Sequence, residues 1–303
     1  MTMVLGIDIG GTGSRARLCA DGEIVAESEA GSASVPAVGQ AKAEAALDEL
    51  LARLPLSGTA PLDAVCAGTA GLSVPGIRDF LSAKLSPLGG TVKIVSDVML
   101  VLSAAGLDDG VGVICGTGSV AVGTYRGQTV QAGGWGYLLG DEGGGYWIVR
   151  EAVRVLLSRR DRGQPLGDLG VRLLTATEAG DLAELQRSYY QQPHLPRQWA
   201  APARLVIGST DPAAGDIVTR AAEALAALAV TTVERLAGPA TLPVVLAGGL
   251  SGSEAFADAV GRAMTAALPS AEFRVLAQPP VAGAVRLARQ AAGRAATKEA
   301  ASA

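Results

Sequence analysis

Apolar and polar residues alternate at the start of the chain in a way that predicts three β-strands. The run MVLGIDI is apolar, SRARLCA alternates, and EIVAESEA follows the pair Asp21-Gly22. Short alternating runs separated by glycine turns are typical of antiparallel strands, and Asp-Gly is a common hairpin turn. This segment is therefore predicted to be a β-meander.

The next residues change between helical and strand patterns. Apolar residues recur at helical spacing from Ala41 to Leu54, just before Pro55, and again in IRDFLSAKL. Buried strands are predicted in AVCAGTAGL and in TVKIVSD, which ends at Asp97. Because strands alternate with helices here, the sheet should contain parallel members.

A second set of elements begins near Gly110 and repeats the order of the first. GVGVICGTGSVAVG and QTVQAGG predict strands joined by glycine turns, and GVICGTGS resembles GIDIGGTGS in the first set. This repetition indicates an internal structural duplication. Helices are then predicted over 148–157 and 216–236, and further strands in LPVVLAGG and EFRVLA.

Two segments are predicted to lack regular structure. YYQQPHLPRQWAAPA, residues 189–203, has its prolines too closely spaced for a helix interior. Its His194, Arg197 and Trp199 belong either to a lid over a binding site or to a plain surface connection. The tail after Gln290 is polar and is expected to fray.

Composition limits the classes of function. The chain has 303 residues, 49% of them hydrophobic, which suffices for two domains; we place them at 1–109 and 110–303, with the C-terminal helix able to pack back on the first. The net charge of −4 argues against nucleic acid as a partner. No apolar run approaches the roughly 20 residues of a membrane helix, so we expect no membrane partner and a cytoplasmic location.

Histidine and cysteine usage narrows the chemistry further. The single histidine makes a Ser-His-Asp triad a weak hypothesis. Cys19, Cys66 and Cys115 lie far apart beside apolar residues, which predicts buried thiols rather than disulfides or a metal site.

Three glycine-rich turns each follow an apolar strand, at Gly10–Ser14, Gly116–Ser119 and Gly248–Gly252. Backbone N–H groups in such turns, with a hydroxyl nearby, form concavities that suit phosphate oxygens. Ordinary hairpin composition is the alternative interpretation. Neither the dinucleotide GxGxxG pattern nor a Walker A motif is present, so the two commonest phosphate-binding loops are excluded.

The ordered motifs GIDIGGTGSR, VSD, ICGTGSVAVG, GGWGYLLGDEGGGYWI and LAGGLSGS resemble the sugar-kinase, Hsc70 and actin superfamily. Within it, the chain from Val4 to Ala288 is similar to the N-acetylglucosamine kinase and BadF-type ATPase family. The resemblance implies an α/β, two-lobed, actin-like ATPase (ribonuclease H-like) fold, in which each lobe is a mixed five-stranded sheet flanked by helices. It also implies ATP and Mg²⁺ as cofactors.

By the same resemblance, Asp8 matches the carboxylate that steers the metal ion, and Asp97 matches the general base, which also contacts the sugar. A helix N-cap is the other interpretation of Asp97. The implied ATP-binding residues are Gly10, Gly11, Thr12, Gly13, Ser14, Thr117, Gly118, Ser119, Gly248 and Gly249. The implied sugar-binding residues, besides Asp97, are Gly116, Gly134, Trp135, Asp141 and Glu142.

Two of these sugar-site residues each have a structural interpretation as well. Trp135 either walls the sugar pocket or packs in the core, and Glu142 either contacts the sugar or pairs with Arg150. Glycines in this loop allow the backbone to approach a ligand, and carboxylates accept hydrogen bonds from sugar hydroxyls.

The resemblance also suggests the substrate. Ser34 stands where N-acetylglucosamine kinases carry an asparagine, and the QQPHLPRQWA segment is similar to glucosamine kinases of actinobacteria. We therefore expect a kinase that phosphorylates the 6-hydroxyl of glucosamine, a small amino sugar, and that forms a homodimer. The alternatives are an N-acetylglucosamine kinase and an ATPase that activates a dehydratase through an iron–sulfur cluster held by exposed cysteines.

Overall fold

The chain folds into two compact units. The computed structural model describes residues 1–56, 61–72, 74–191 and 196–302. The first unit comprises Met1–Asp108 and Leu276–Ala303, and the second comprises Asp109–Val275. The C-terminal segment thus groups with the first unit, so the units are not two consecutive stretches of the chain.

Each unit is built on a mixed five-stranded sheet. The strands are β1 (Met3–Ile9), β2 (Ser14–Ala20), β3 (Glu23–Ala30), β4 (Ala64–Thr69), β5 (Thr91–Ser96), β6 (Gly110–Cys115), β7 (Ser119–Tyr125), β8 (Gln128–Gly133), β9 (Val244–Ala247) and β10 (Phe273–Val275). The first sheet has the order β3-β2-β1-β4-β5 and the second has the order β10-β9-β6-β7-β8.

The two sheets share one topology, as the repeated sequence pattern indicates. In each, three strands form an antiparallel meander, and the next two strands are parallel to the first strand of that meander. The predicted hairpin at Asp21-Gly22 is present, and both residues have the positive φ of a type I′ turn, 48° and 98°.

Helices cover these sheets. They are α1 (Val35–Val38), α2 (Gln40–Ala52), α3 (Ile77–Leu85), α4 (Asp97–Ala104), α5 (Gly145–Asp161), α6 (Gly167–Ala176), α7 (Leu182–Gln191), α8 (Pro196–Ala200), α9 (Ala203–Ile207), α10 (Pro212–Arg235), α11 (Glu254–Ala267) and α12 (Pro280–Ser302), with a short 3₁₀ turn at Ser86–Leu88. Across the described residues, no helix combines the length and apolar character needed to cross a membrane.

Two predictions about irregular segments were wrong. The tail after Gln290 continues α12 to Ser302, because its alanine-rich sequence has high helix propensity. The described part of 189–203 is largely helical, because its prolines stand at helix starts: Pro196 begins α8 and Pro202 is the N-cap of α9. There, the missing N–H costs nothing.

The first sheet has a hydrophobic cluster on each face. Leu5, Ile7 and Ile9 of β1 belong to the cluster that contains residues of α2 and α3. Val4 belongs to the opposite cluster, with residues of α4 and α12. Because side chains alternate along a strand, Asp8 shares the face of Val4, toward α4 and α12.

The cysteines are core residues, as predicted. Cys19, Cys66 and Cys115 are all buried and free. Burial raises the pKa of the Cys66 thiol to about 12 and also raises the pKa of Cys115. These thiols therefore remain protonated and are not nucleophiles at neutral pH.

Candidate active site

Two carboxylates meet in the first unit. Asp8 lies next to the last residue of β1, and Asp97 is the first residue of α4, directly after β5. β1, β4 and β5 are parallel neighbours, so both groups lie at the same end of the sheet, and the negative charge of Asp97 raises the pKa of Asp8.

Gly68 allows α4 to approach the sheet closely enough for this pairing. It lies on β4 opposite Asp8, and a Cβ built on it would lie 2.3 Å from Cδ1 of Leu100 in α4. Any larger residue would push α4 away from the sheet. Sequence reasoning missed Gly68, although a glycine inside a strand is a known signal of close approach.

Both carboxyl groups hold protons more tightly than ordinary aspartates. Burial, then the negative charge of Asp97, raise the pKa of Asp8 to about 7, against the opposing effect of Arg15. Burial raises the pKa of Asp97 to about 6, although its own N–H and that of Val98 stabilise the charged form. Asp97 is therefore mostly ionised at pH 7 while remaining a competent proton acceptor, which suits a general base.

The alternative interpretation of Asp97, as the N-cap of a helix, is wrong by one residue. Ser96 is the N-cap of α4, and Asp97 is the first helical residue, although its Oδ1 accepts a 3.0 Å hydrogen bond from the Val98 N–H. That hydrogen bond orients the carboxylate. Accepting it leaves further lone pairs on the two oxygens.

The oxygen donors of Asp8 and Asp97 fit a magnesium ion. Mg²⁺ is typically held by one or two carboxylates, with waters and phosphate oxygens completing the shell. Within the described residues, no cluster of three or more His, Cys, Asp or Glu side chains forms a dedicated metal cage. The burial of Asp8, which raises its pKa, also indicates a carboxylate that would gain from a cation beside it.

Asp8 should make stability fall as the pH rises. Its folded-state pKa of about 7 lies above the ordinary value of 3.8. The folded chain therefore binds a proton that the unfolded chain releases, and the free energy of unfolding declines between about pH 4 and pH 7. The full shift corresponds to about 4 kcal/mol, and because Asp8 is only partly buried we expect roughly half of it, about 2 kcal/mol.

Asp8→Asn should remove the part of this decline that comes from Asp8 and leave the part that comes from Asp97, whose pKa is also raised, to about 6. Urea unfolding from pH 4 to pH 8 in EDTA, followed by circular dichroism, measures it. Asp21→Asn, an exposed turn residue, is the control and should keep the wild-type pH dependence. An equal pH dependence in Asp8→Asn and wild type would contradict the raised pKa.

The first glycine turn connects β1 to β2 and is closed by internal hydrogen bonds. Gly10 N–H donates to Gly13 O, at 3.1 Å, and the Ser32 hydroxyl donates to Gly10 O, at 2.8 Å. Gly11 and Thr12 are exposed at its tip, while Ser14 is buried and its Oγ accepts from Ala33 N–H. The tip is therefore the part of this turn that can meet a ligand.

In the second unit, the second turn is held by the start of α5. Gly145 N–H donates to Gly116 O, at 2.8 Å, and Tyr146 N–H donates to Thr117 O, at 3.0 Å. The first N–H groups of α5 thus bond to the carbonyl oxygens of the turn. The backbone of this turn is thereby fixed in one conformation.

Asp141 lies against the same turn. A Cβ built on Gly118 would lie 2.1 Å from Asp141 Oδ2, and the N–H groups of Ser119 and Gly136 stabilise the Asp141 carboxylate. Burial nevertheless raises the pKa of Asp141. Asp141 has a φ of 58°, in the left-handed region that non-glycine residues seldom adopt. The predicted sugar loop thus packs against the second glycine turn.

Glu142 is exposed and does not pair with Arg150. Arg150 instead lies 3.4 Å from Glu151, a buried acid that also contacts Arg154 and Arg220. The Glu142 backbone oxygen accepts a 2.7 Å hydrogen bond from the buried Ser119 hydroxyl. The Ser119 hydroxyl therefore already has an acceptor, and the Ser119 N–H is bonded to the Asp141 carboxylate.

The third turn packs against the end of β6. Gly248 has a φ of 104°, and a Cβ built on it would lie 2.3 Å from Cys115 O. Leu250 N–H donates to the same oxygen, at 3.1 Å, and Arg204 donates to Gly249 O, at 2.7 Å. Since β6 and β9 are parallel neighbours, the second and third turns lie side by side.

The structure places Trp135 and Trp199 in different environments, which the sequence alone did not decide. Trp135 is 76% exposed, so it is not a core residue, and Gly134 beside it is also exposed with a φ of 74°. Trp199 is buried and stacks on Tyr189, with ring centroids 4.3 Å apart. Trp199 is therefore part of the core rather than of a lid, and His194 lies outside the described residues.

The sequence matches the model of one protein family over most of its length. Residues 5–285 match the model of the BadF/BadG/BcrA/BcrD ATPase family. The chain belongs to this ATPase family. Both the predicted membership and the predicted actin-like fold are confirmed.

Curated relatives of this BadF-family chain are amino-sugar kinases by name. It is 30% identical over 175 residues to the N-acetylmuramic acid/N-acetylglucosamine kinase of Clostridium acetobutylicum, covering 54% of this chain and 56% of that protein. It is 29% identical over 187 residues to the N-acetyl-D-glucosamine kinase of Dictyostelium discoideum, covering 56% and 59%. The chain thus spans little more than half the length of the curated relatives it matches.

Solved structures resemble this BadF-family chain over nearly its whole length. A candidate N-acetylglucosamine kinase from Chromobacterium violaceum has a TM-score of 0.75 and 28% identity, covering 95% of this chain and 99% of that one. A ROK family glucokinase from Streptomyces griseus, crystallised with glucose and AMPPNP, has a TM-score of 0.59 at 17% identity, covering 95% and 99%. The second likeness shows the fold alone.

Proposed function

We propose that this chain is an ATP-dependent kinase that phosphorylates the 6-hydroxyl of an amino sugar, with D-glucosamine as the acceptor. The observation that carries the proposal is the pair of interacting carboxylates, Asp8 and Asp97, in a member of an ATPase family. The amino-sugar kinases among its relatives support the substrate class.

Asp97 would act as the general base in this reaction. As the sugar oxygen bonds to the γ-phosphorus of ATP, the Asp97 carboxylate accepts the hydroxyl proton and ADP leaves. Mg²⁺, when bound, would neutralise phosphate charge, with Asp8 holding it. Phosphoryl transfer depends mainly on positioning and charge neutralisation, so the turns act by fixing the phosphates.

The phosphates would be bound by the Gly10–Ser14 and Thr117–Ser119 turns, and the adenosine beside Gly248 and Gly249. The rigid hydrogen bonding of these turns supports the assignment, since amides fixed before binding lose little entropy when a ligand arrives. Gly116, at the start of the second turn, would contact the sugar.

The sugar would be bound by Asp141, Glu142, Gly134 and Trp135. A carboxylate offers about four lone-pair sites, so Asp141 can accept two amides and still bind sugar hydroxyls. Glu142 is exposed and has no hydrogen bond or ion pair to another described side chain. Two carboxylates would also stabilise a protonated 2-amino group, which supports glucosamine.

N-acetylglucosamine is the second candidate substrate, because both curated relatives are named for it. The Ser34 side chain, at the position where such kinases carry asparagine, is only 2% exposed. A hydroxyl buried to this extent is poorly placed to bind an acetamido group. This observation favours glucosamine.

ADP release with MgATP should separate the candidates. We expect kcat/KM to be highest for glucosamine, lower for N-acetylglucosamine and glucose, and negligible without sugar. A preference for N-acetylglucosamine would overturn the glucosamine assignment and leave the kinase assignment intact. ATP turnover that no sugar stimulates would overturn both.

Trp135→Ala should raise the KM for the sugar several-fold without lowering stability, because the exposed ring has few protein contacts to lose. Trp147→Ala is the contrast: this ring is 9% exposed and packs in the core, so its loss should cost about 3 to 5 kcal/mol. Sugar kinetics and urea unfolding measure the two effects. An unchanged KM in Trp135→Ala would remove this residue from the sugar site.

The dehydratase-activator alternative fits the structure less well. A cluster held at a dimer interface needs thiols at the surface, whereas Cys66 and Cys115 have no exposed surface at all. We therefore do not propose that activity.

A further inference from the structure

A cavity of about 400 Å³ lies in the first unit, away from the two carboxylates. It is bordered by Thr91, Val92 and Lys93 of β5 and by Gln290, Arg294 and two alanines of α12. All these residues belong to one compact unit, so the cavity is a feature of that unit alone.

Lys93 is an unusual residue for its position. β5 is the edge strand of the first sheet, and Lys93 pairs in register with Cys66 of β4. Cys66 belongs to the cluster that α12 covers. Residues paired across a sheet share a face, so Lys93 lies on the helix-covered face, where an apolar residue is normal.

Both cations of the cavity lack a carboxylate partner. Within the described part of the chain, neither Lys93 nor Arg294 makes an ion pair or a side-chain hydrogen bond. Lys84 of the same unit shows the contrast, since it lies 2.7 Å from Glu44 and 3.0 Å from Asp48. Two cations without a carboxylate partner thus border one cavity, and an anion bound there would be attracted by both.

The remaining lining residues fit the same kind of ligand. The Thr91 hydroxyl and the Gln290 amide are neutral hydrogen-bond donors, while Val92 and the two alanines provide apolar surface. A few polar residues in a partly apolar cavity are typical of small-molecule sites. We propose that this cavity binds a small metabolite that bears a phosphate or carboxylate group, held by Lys93 and Arg294.

This proposal does not depend on the kinase activity. An inward-pointing lysine can also serve to protect a sheet edge from pairing with another chain. That role requires no ligand and makes no use of Arg294. The two explanations therefore differ in whether an anion binds and whether both cations are needed.

Titration calorimetry of the full chain would test the site, with inorganic phosphate, glucose 6-phosphate and citrate as probes at constant ionic strength. Saturating MgADP keeps the nucleotide turns occupied. We expect at least one probe to bind, and the tightest of the three to identify the anionic group that the site prefers. Absence of binding by all three would overturn the proposal.

Substitutions of the two cations would show whether the anion binds at this cavity. Lys93→Gln combined with Arg294→Gln should weaken the probe at least tenfold, and Arg294→Lys should retain most of the affinity. Lys42→Gln, which removes an exposed cation elsewhere in the unit, should change nothing. If the double variant does not fold, Arg294→Gln alone replaces it, since this side chain is exposed. Wild-type affinity in a folded variant lacking these charges would place the anion elsewhere and contradict the proposal.

Discussion

Asp97→Asn is expected to lower kcat for sugar phosphorylation by about 10² to 10⁴-fold, the usual contribution of a general base. Asparagine has the same shape, and its side-chain oxygen can still accept the Val98 N–H at the start of α4. It cannot accept the proton of the sugar hydroxyl. The change should therefore remove the base and preserve the local fold.

Steady-state kinetics and nucleotide titration measure this effect. The affinity for ATP should change little, because the resemblance assigns the phosphates to the glycine turns rather than to Asp97. Asp79→Asn is the matched control, since Asp79 is an exposed acid in the first turn of α3 in the same unit. Near wild-type kcat in Asp97→Asn would show that another group accepts the proton.

Gly248→Ala should destabilise the second unit by about 2 to 5 kcal/mol. Its φ of 104° is unfavourable for any side chain, and the new Cβ would overlap the Cys115 carbonyl oxygen, 2.3 Å away. Backbone strain costs about 1 to 3 kcal/mol and overpacking costs a similar amount. The central strand β6 is paired with β9, which leads directly into the third turn, so the two elements at the clash cannot move apart freely.

Gly249→Ala is the matched control, because a Cβ at that position meets nothing within 4 Å. Its cost should remain below about 1 kcal/mol. Trp135, Trp147 and Trp199 all lie in the second unit, so tryptophan fluorescence during urea unfolding reports on that unit. Equal stability of the two variants would contradict the close approach at Gly248.

Much of the fold was predictable because its signals are local. The meander, the glycine turns after β1, β6 and β9, and the duplication of the sheet all follow from short alternating runs punctuated by glycine. The helices α8 and α9 were missed because proline was interpreted as a helix breaker, although at a helix start it is favourable.

The individual residues of the candidate site could be predicted from the sequence, but not which of them interact. Sequence alone placed Asp8 and Asp97 at strand ends, yet their interaction depends on α4 packing over Gly68, a long-range contact. Likewise, the sequence around Trp135 and Trp199 does not indicate which of the two rings is exposed. The proline-rich surroundings of Trp199 suggested a lid, whereas Trp199 of α8 is buried and packs on Tyr189 of α7.

The most direct test of the central claim is to identify the product formed from glucosamine and MgATP by ³¹P NMR and mass spectrometry. The account predicts glucosamine 6-phosphate in equal amounts with ADP, and formation of both products about 10² to 10⁴-fold more slowly with Asp97→Asn. ADP that accumulates at the same rate with and without sugar, and without any sugar phosphate, would contradict it.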